Sequence, residues 1–145
     1  MTTVFSHIIA GDFPGRFAYA DDQCVVFSTI EPIKPGHMLV VPRLEVDRFA
    51  EAPDDLAGHL MTVARRVAAA QEVAYPGTRA VLMIAGFDVP HLHLHVVPAA
   101  NQADLSFAHA HADSDEALDE ACMAVREALR GIGFGAFVPA DMTAL

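Results

Sequence analysis

Residues 89–98 read Val-Pro-His-Leu-His-Leu-His-Val-Val-Pro, which places His91, His93 and His95 at every second position. Side chains alternate between faces on a strand, so these imidazoles share one side, about 6.5–7 Å apart along the chain. Leu92, Leu94 and Val96 then point into the core, and Pro90 and Pro98 bound the strand. Protonated imidazoles in a cluster repel one another, which depresses their pKa values. Stability alone gains nothing from the arrangement. Two chemistries fit it. Neutral imidazole is the commonest metal ligand, and a His-x-His pair on a strand can chelate. Neutral imidazole is also a good nucleophile near pH 7, and its neighbours can donate hydrogen bonds to phosphoryl oxygens. Spacing does not separate the two.

The elements that must position this cluster are legible around it. Arg16–Ile30 reads as two strands across an Asp21-Asp22 turn, with the β-formers Val25, Val26 and Phe27 in the second. Glu31–Gly36 is a loop, because two prolines and a glycine prevent regular structure. His37–Pro42 is a nearly continuous apolar strand covered on both faces. Leu56, Leu60, Val63, Val67, Ala70 and Ala74 recur at steps of three and four, giving a long helix that Pro76-Gly77 stops. Asp54 and Asp55 suit its positive N-terminal end. Arg79–Gly86 and His91–Val97 read as neighbouring strands. After Pro98 a small, polar stretch reads as a loop. A second helix follows, with Asp113 and Glu116 spaced as a capping box and Leu118, Ala121, Cys122, Val125 and Leu129 as its stripe. Gly131 would stop it; the tail to Leu145 carries no assignable pattern. The expected architecture is α+β, with mostly antiparallel strands and packed helices.

Composition limits the partners. The 145 residues, 53% hydrophobic, suit one domain, 1–145, with a core over about 3–98 and a C-terminal loop and helix over 99–145. No apolar run spans a membrane. The N-terminus lacks a signal-peptide pattern, so a cytoplasmic location is expected. Net charge is −10 and the nine Lys and Arg are scattered, which argues against nucleic acid as a partner. Cys24 and Cys122 form no Cys-x-x-Cys pair and read as buried thiols.

The stretch from His91 to Val97 resembles the histidine-triad pattern, His-φ-His-φ-His-φ-φ, of the HIT superfamily. Residues 3–14, 20–42 and 56–70 look like the successive blocks of its small Hint-type nucleotide-binding members, so the resemblance covers about Thr3 to Pro98. It implies a HIT-like fold, a five-stranded antiparallel sheet with a long helix, and a homodimer that extends the sheet. It implies hydrolysis or transfer at the α-phosphorus of nucleotide conjugates through a nucleotidyl-histidine, with no cofactor and no metal in the chemistry. The partner would be a purine nucleotide or its conjugate. His93 would be the nucleophile, with Nδ1–H bonded to a backbone carbonyl. His95 would contact the phosphate and could serve in proton transfer to the leaving group. His91 would support the cluster, and His37 matches a fourth family histidine. Phe5, Ile8, Phe27 and Ile30 match the apolar positions that sandwich the purine.

Three parts of the pattern are changed. Thr3, Ser6 and Glu45 stand where some bacterial members carry zinc ligands, so no structural zinc is expected. Thr29 replaces the aspartate that holds the ribose, which weakens sugar recognition by about 1–2 kcal/mol. Phe87 and Asp88 replace a Gln and a Ser or Thr next to the phosphate. A carboxylate about 5 Å from a phosphate costs on the order of 3 kcal/mol at an effective dielectric near 20. Asp88 would therefore turn away, hold a proton, bond a protonated histidine, or mark a different substrate. It could also be only a turn residue. His109 and His111 read as surface residues.

Overall fold

The computed structural model describes residues 2–145. Its strands are β1 (Phe17–Ala20), β2 (Cys24–Ser28), β3 (Met38–Pro42), β4 (Arg79–Met83) and β5 (Leu94–Ala99), and its main helices are α1 (Val4–Ala10), α2 (Asp54–Ala74) and α3 (Asp115–Leu129). The strands form one antiparallel sheet in the order β1-β2-β3-β5-β4. Period-two alternation divides its side chains between two cores. Cys24, Val26, Met38, Val40, Leu94 and Val96 meet Leu60, Val63 and Val67 of α2 and Cys122, Val125 and Leu129 of α3. On the other face Val25, Phe27, Leu39 and Val41 meet Phe5 of α1. β3 is buried along its whole length, as an apolar strand covered on both sides must be.

α1 is an element without a clear apolar stripe. Thr3 caps it, its hydroxyl accepting from Ser6 N–H, and left-handed Gly11 (φ 88°) ends it. Four boundaries differ from expectation. β5 begins only at Leu94, so His91 and His93 lie in an irregular segment ahead of it, with a bend at His91, held where Leu92 N–H donates to Val46 O at 2.7 Å. It runs through Pro98 to Ala99, because β3 pairs with β5 only as far as Val96 and the missing N–H is tolerated where one neighbour remains. α3 is capped by Ser114, whose hydroxyl accepts from Ala117 N–H, one residue after the expected Asp113. Gly131 does not stop it. One wider turn, Arg130–Phe134, continues the coil until Gly133 takes the left-handed conformation (φ 100°).

The tail closes against the edge of the sheet. Arg126, buried in α3, donates to Phe17 O and Pro139 O, and Phe17 N–H donates to Met142 O. Phe137 stacks on Tyr19 with ring centroids 5.0 Å apart. Among the described residues no helix is long and apolar enough to cross a membrane.

Candidate active site

The four candidate histidines meet at the junction of β3 and β5. Leu39 pairs with His95, which places His95 on the sheet face opposite α2 and α3. The His93 and His95 rings lie 4.8 Å apart, His37 and His95 5.2 Å, and Phe5 packs edge-on against His93 at 4.9 Å. His91 is fully buried beside Phe5.

The hydrogen bonds assign each proton. Backbone Ile33 N–H donates to His37 Nδ1 at 3.0 Å, so neutral His37 carries its proton on Nε2. That proton is donated to His95 Nδ1, also at 3.0 Å, which leaves the His95 proton on Nε2. His93 Nδ1–H donates to the His91 carbonyl at 2.6 Å, leaving a lone pair on Nε2. His91 Nε2–H donates to Pro42 O at 2.8 Å, so its Nδ1 accepts from the Thr3 hydroxyl at 2.6 Å. Thr3 therefore caps α1 and orients His91 with one side chain. Glu45 completes this cluster by accepting from Ser6 Oγ and from Thr3 N–H. These two bonds hold the exposed Glu45 carboxylate below its usual pKa.

Burial keeps the imidazoles neutral. His37 is pushed down to about 3, by desolvation first and then by His95 and His93. His95 is pushed down to about 4, by desolvation and then by His93. His93 is also lowered by desolvation, against an upward pull from its bond to His91 and from the Asp88 charge. In the unfolded chain these groups take up protons below about pH 6.5. Between there and the folded values the unfolded state binds more protons, so stability falls as pH is lowered through that window. The slope approaches about 1.4 kcal/mol per pH unit for each histidine. Urea unfolding is expected to give a clearly lower midpoint at pH 5 than at pH 7.5. An unchanged midpoint contradicts this protonation scheme.

Two features outside the cluster hold it. Gln71, fully buried in α2, donates from Nε2 to Gly36 O at 2.9 Å and to Val96 O at 2.8 Å, bracing the residues next to His37 and His95. Gly36 has φ 86°, and a Cβ there would stand 2.4 Å from the Tyr75 ring, so only glycine fits.

Of the expected purine-contact residues, Phe5, Ile8 and Phe27 gather on the α1 face, whereas Ile30 stands apart, 67% exposed. Thr29 lines a cavity of about 420 Å³ with Ser28, Gly36, His37 and Tyr75. Asp88 is exposed in the turn before Val89. His109 and His111 are exposed, as expected of surface residues.

Other residues at the site carry no motif. His93 opens onto a cleft of about 550 Å³ shared with Arg48, Phe49, Ile84 and Phe87, the last 96% exposed. Phe107, in the loop after β5, packs edge-on against His95 at 4.9 Å. A phenylalanine in an otherwise small and polar loop is the one signal in the sequence that points to it.

Residues 10–102 match the HIT domain family. An uncharacterized HIT-like protein of Methanocaldococcus jannaschii is 34% identical over 99 residues, 66% of this chain and 77% of its own. One from Saccharolobus solfataricus is 36% identical over 104 residues, 68% of this chain and 75% of its own. Among solved structures, a zinc-bound histidine triad family protein from Mycobacterium smegmatis superposes with a TM-score of 0.80 at 29% identity, covering 91% of this chain and 96% of that one. A Hit-like protein involved in cell-cycle regulation from Bartonella henselae, solved with an unknown ligand, gives 0.79 at 25% identity over 88% and 96%. The family match spans all five strands and the histidine cluster between β3 and β5, and the chain belongs to the HIT domain family.

Proposed function

We propose that the protein is a nucleotide hydrolase or transferase acting at the α-phosphorus of nucleoside phosphoramidates or related purine nucleotide conjugates. The observation that carries this reading is the assignment of protons. His93 keeps an unprotonated Nε2 while its Nδ1–H is tied to a carbonyl, and His95 presents Nε2–H as a donor. In the proposed reaction His93 Nε2 forms a bond to phosphorus as the bond to the leaving group breaks. The leaving group departs with the electron pair and takes its proton from solvent. His95 Nε2–H donates to a phosphoryl oxygen, which steadies the charge that develops there. Water then attacks the nucleotidyl-imidazole, giving the nucleoside monophosphate and returning neutral His93.

Phe5 packs edge-on against His93, and with half-buried Ile8 and buried Phe27 it forms the apolar group nearest the triad on which the base would rest. Thr3 and Ser6 are neutral hydroxyls already engaged in hydrogen bonds, and hydroxyls are poor zinc ligands. Thr3, Ser6, Glu45 and His91 are read accordingly as a hydrogen-bonded brace. The reading also includes a homodimer that extends the sheet. The half-buried residues Ala80–Met83 of edge strand β4 support it. Light scattering that returns one chain per particle at micromolar concentration contradicts the dimer.

Turnover of adenosine and guanosine phosphoramidates tests the activity. Release of the amine at the uncatalysed rate, over a panel that includes dinucleoside polyphosphates, contradicts it. One observation favours a second reading, a purine nucleotide sensor without catalysis: the Asp88 charge reaches His93, where it opposes an incoming phosphate. Calorimetric binding with no turnover across the panel would select the sensor. On either reading, Asp88→Ser is expected to tighten nucleoside monophosphate binding several-fold at low salt, with the gain shrinking as salt is added. Equal affinity for both proteins would remove Asp88 from the phosphate site.

A further inference from the structure

On the helix side of the sheet, away from the histidine cluster, three different metal-ligating side chains converge. Asp21 sits at the β1–β2 turn, Cys24 opens β2, and His59 reaches down from the second turn of α2. One ligand atom from each lies within 4.8 Å of the other two, the single such group among the described residues. The parts are fixed before any ion arrives. Asp21 Oδ1 accepts from the backbone N–H groups of Gln23 and Cys24, both at 2.8 Å. This locks the carboxylate and turns Oδ2 towards the others. His59 Nε2 is 2.7 Å from Oδ2, and Cys24 Sγ is 3.8 Å from it. The Asp21 side chain is 7% exposed, that of His59 24%, and Cys24 is fully buried.

We propose that Asp21, Cys24 and His59 form a binding site for a zinc-class divalent cation, which clamps the β1–β2 turn to α2. Zinc takes a thiolate, an imidazole and a carboxylate at about 2.0–2.3 Å, which puts neighbouring ligand atoms about 3.3–3.5 Å apart on a tetrahedron. The separations from Oδ2, 2.7 and 3.8 Å, bracket that value. In the apo protein, protons hold the cluster together; on binding, the cation replaces them. Cys24 loses its thiol proton to solvent. His59 binds as the neutral imidazole in the tautomer with its proton on Nδ1, the Nε2 proton shared with Asp21 passing to solvent as Nδ1 takes one up. Water takes the fourth position. Asp21 and Cys24 then contribute two negative charges, which neutralise the ion at a partly buried position. Burial and the neighbouring Asp21 carboxylate disfavour the Cys24 thiolate before the ion binds, against a weaker opposite pull from Arg43 and Arg66. The site shares no ligand with the histidine cluster, so it stands or falls independently of the phosphoryl chemistry.

Titration of the tag-free protein with cobalt(II), followed by displacement with zinc(II), tests the site. Cobalt bound to a thiolate gives a near-ultraviolet charge-transfer band that histidine and carboxylate ligands do not give, which separates this site from the triad. We expect a one-to-one band that zinc abolishes. It should persist in His93→Ala and in Cys122→Ser, and vanish in Cys24→Ser. His59→Gln changes a partly exposed residue, so its fold should hold. It should weaken cobalt binding by about tenfold or more, the effect of losing about 1.4 kcal/mol or more of binding free energy. Absence of the band in the parent protein overturns the proposal. So does a band that survives in Cys24→Ser, or His59→Gln binding cobalt as tightly as the parent.

Discussion

Replacing His93 with alanine should reduce kcat for nucleoside phosphoramidate hydrolysis by at least about 10³-fold, equivalent to about 4 kcal/mol of transition-state stabilisation. The size of the effect follows from the role. Nε2 of His93 is the lone pair held free by the Nδ1 bond to the His91 carbonyl, and its neighbours have their available lone pairs committed. Removing it leaves binding and the His95 donor without a nucleophile. His95→Ala removes one donor to the phosphoryl group, an effect nearer about 10²-fold. His93 is buried but belongs to neither apolar core, and it borders the cleft, so its loss need not unfold the protein. The check is turnover beside a urea unfolding curve. A His93→Ala protein that unfolds like the parent and turns over within tenfold of it places the nucleophile elsewhere.

The largest stability effect is expected at Gln71. Its amide is the only partner that α2 offers to Gly36 O and Val96 O, and both bonds are buried. Gln71→Ala removes the side-chain donor from Gly36 O, takes one bond from Val96 O, which stays paired in the sheet, and opens a cavity. The loss should be about 2–4 kcal/mol. Val96 follows His95 and Gly36 precedes His37, so turnover should fall as well. A loss below about 1 kcal/mol by urea denaturation would show that neither carbonyl depends on this amide.

The expected five-stranded sheet and both long helices are present because their signals are local. The stripe Leu56, Leu60, Val63, Val67, Ala70 sits at helical spacing whatever it packs against, and all of it is buried in α2. The β2 and β3 runs are short, apolar and bounded by turn residues. The alternation at His91, His93 and His95 was legible for the same reason. The rest depends on contacts between distant residues. Thr3 meets His91 across 88 positions, and nothing near either residue announces the bond. Phe107 meets His95 only because the loop after β5 folds back over the sheet. α1 is short, and the cap that starts it is Thr3, a position the family pattern framed as a lost metal ligand rather than as a helix signal. The shifted cap of α3 shows the limit of spacing rules. Asp113 and Glu116 have the separation of a capping box, yet Ser114 stands one residue nearer the helix and its hydroxyl takes the N–H. Asp21, Cys24 and His59 carry no joint signal in the sequence, because the cysteine, taken alone, reads as an ordinary buried thiol and His59 is brought to it only by the packing of α2.

The measurement that bears most directly on the mechanism is a rapid acid-free quench of the enzyme with an adenosine phosphoramidate. Intact mass and peptide mapping under neutral conditions, which preserve phosphorus–nitrogen bonds, would follow. An adenylyl group on the peptide spanning His91–His95, assigned to His93 by fragmentation and missing from His93→Ala, is the expected result. Turnover with no adduct at any quench time, or an adduct on another residue, would mean that this imidazole is not the group that attacks phosphorus.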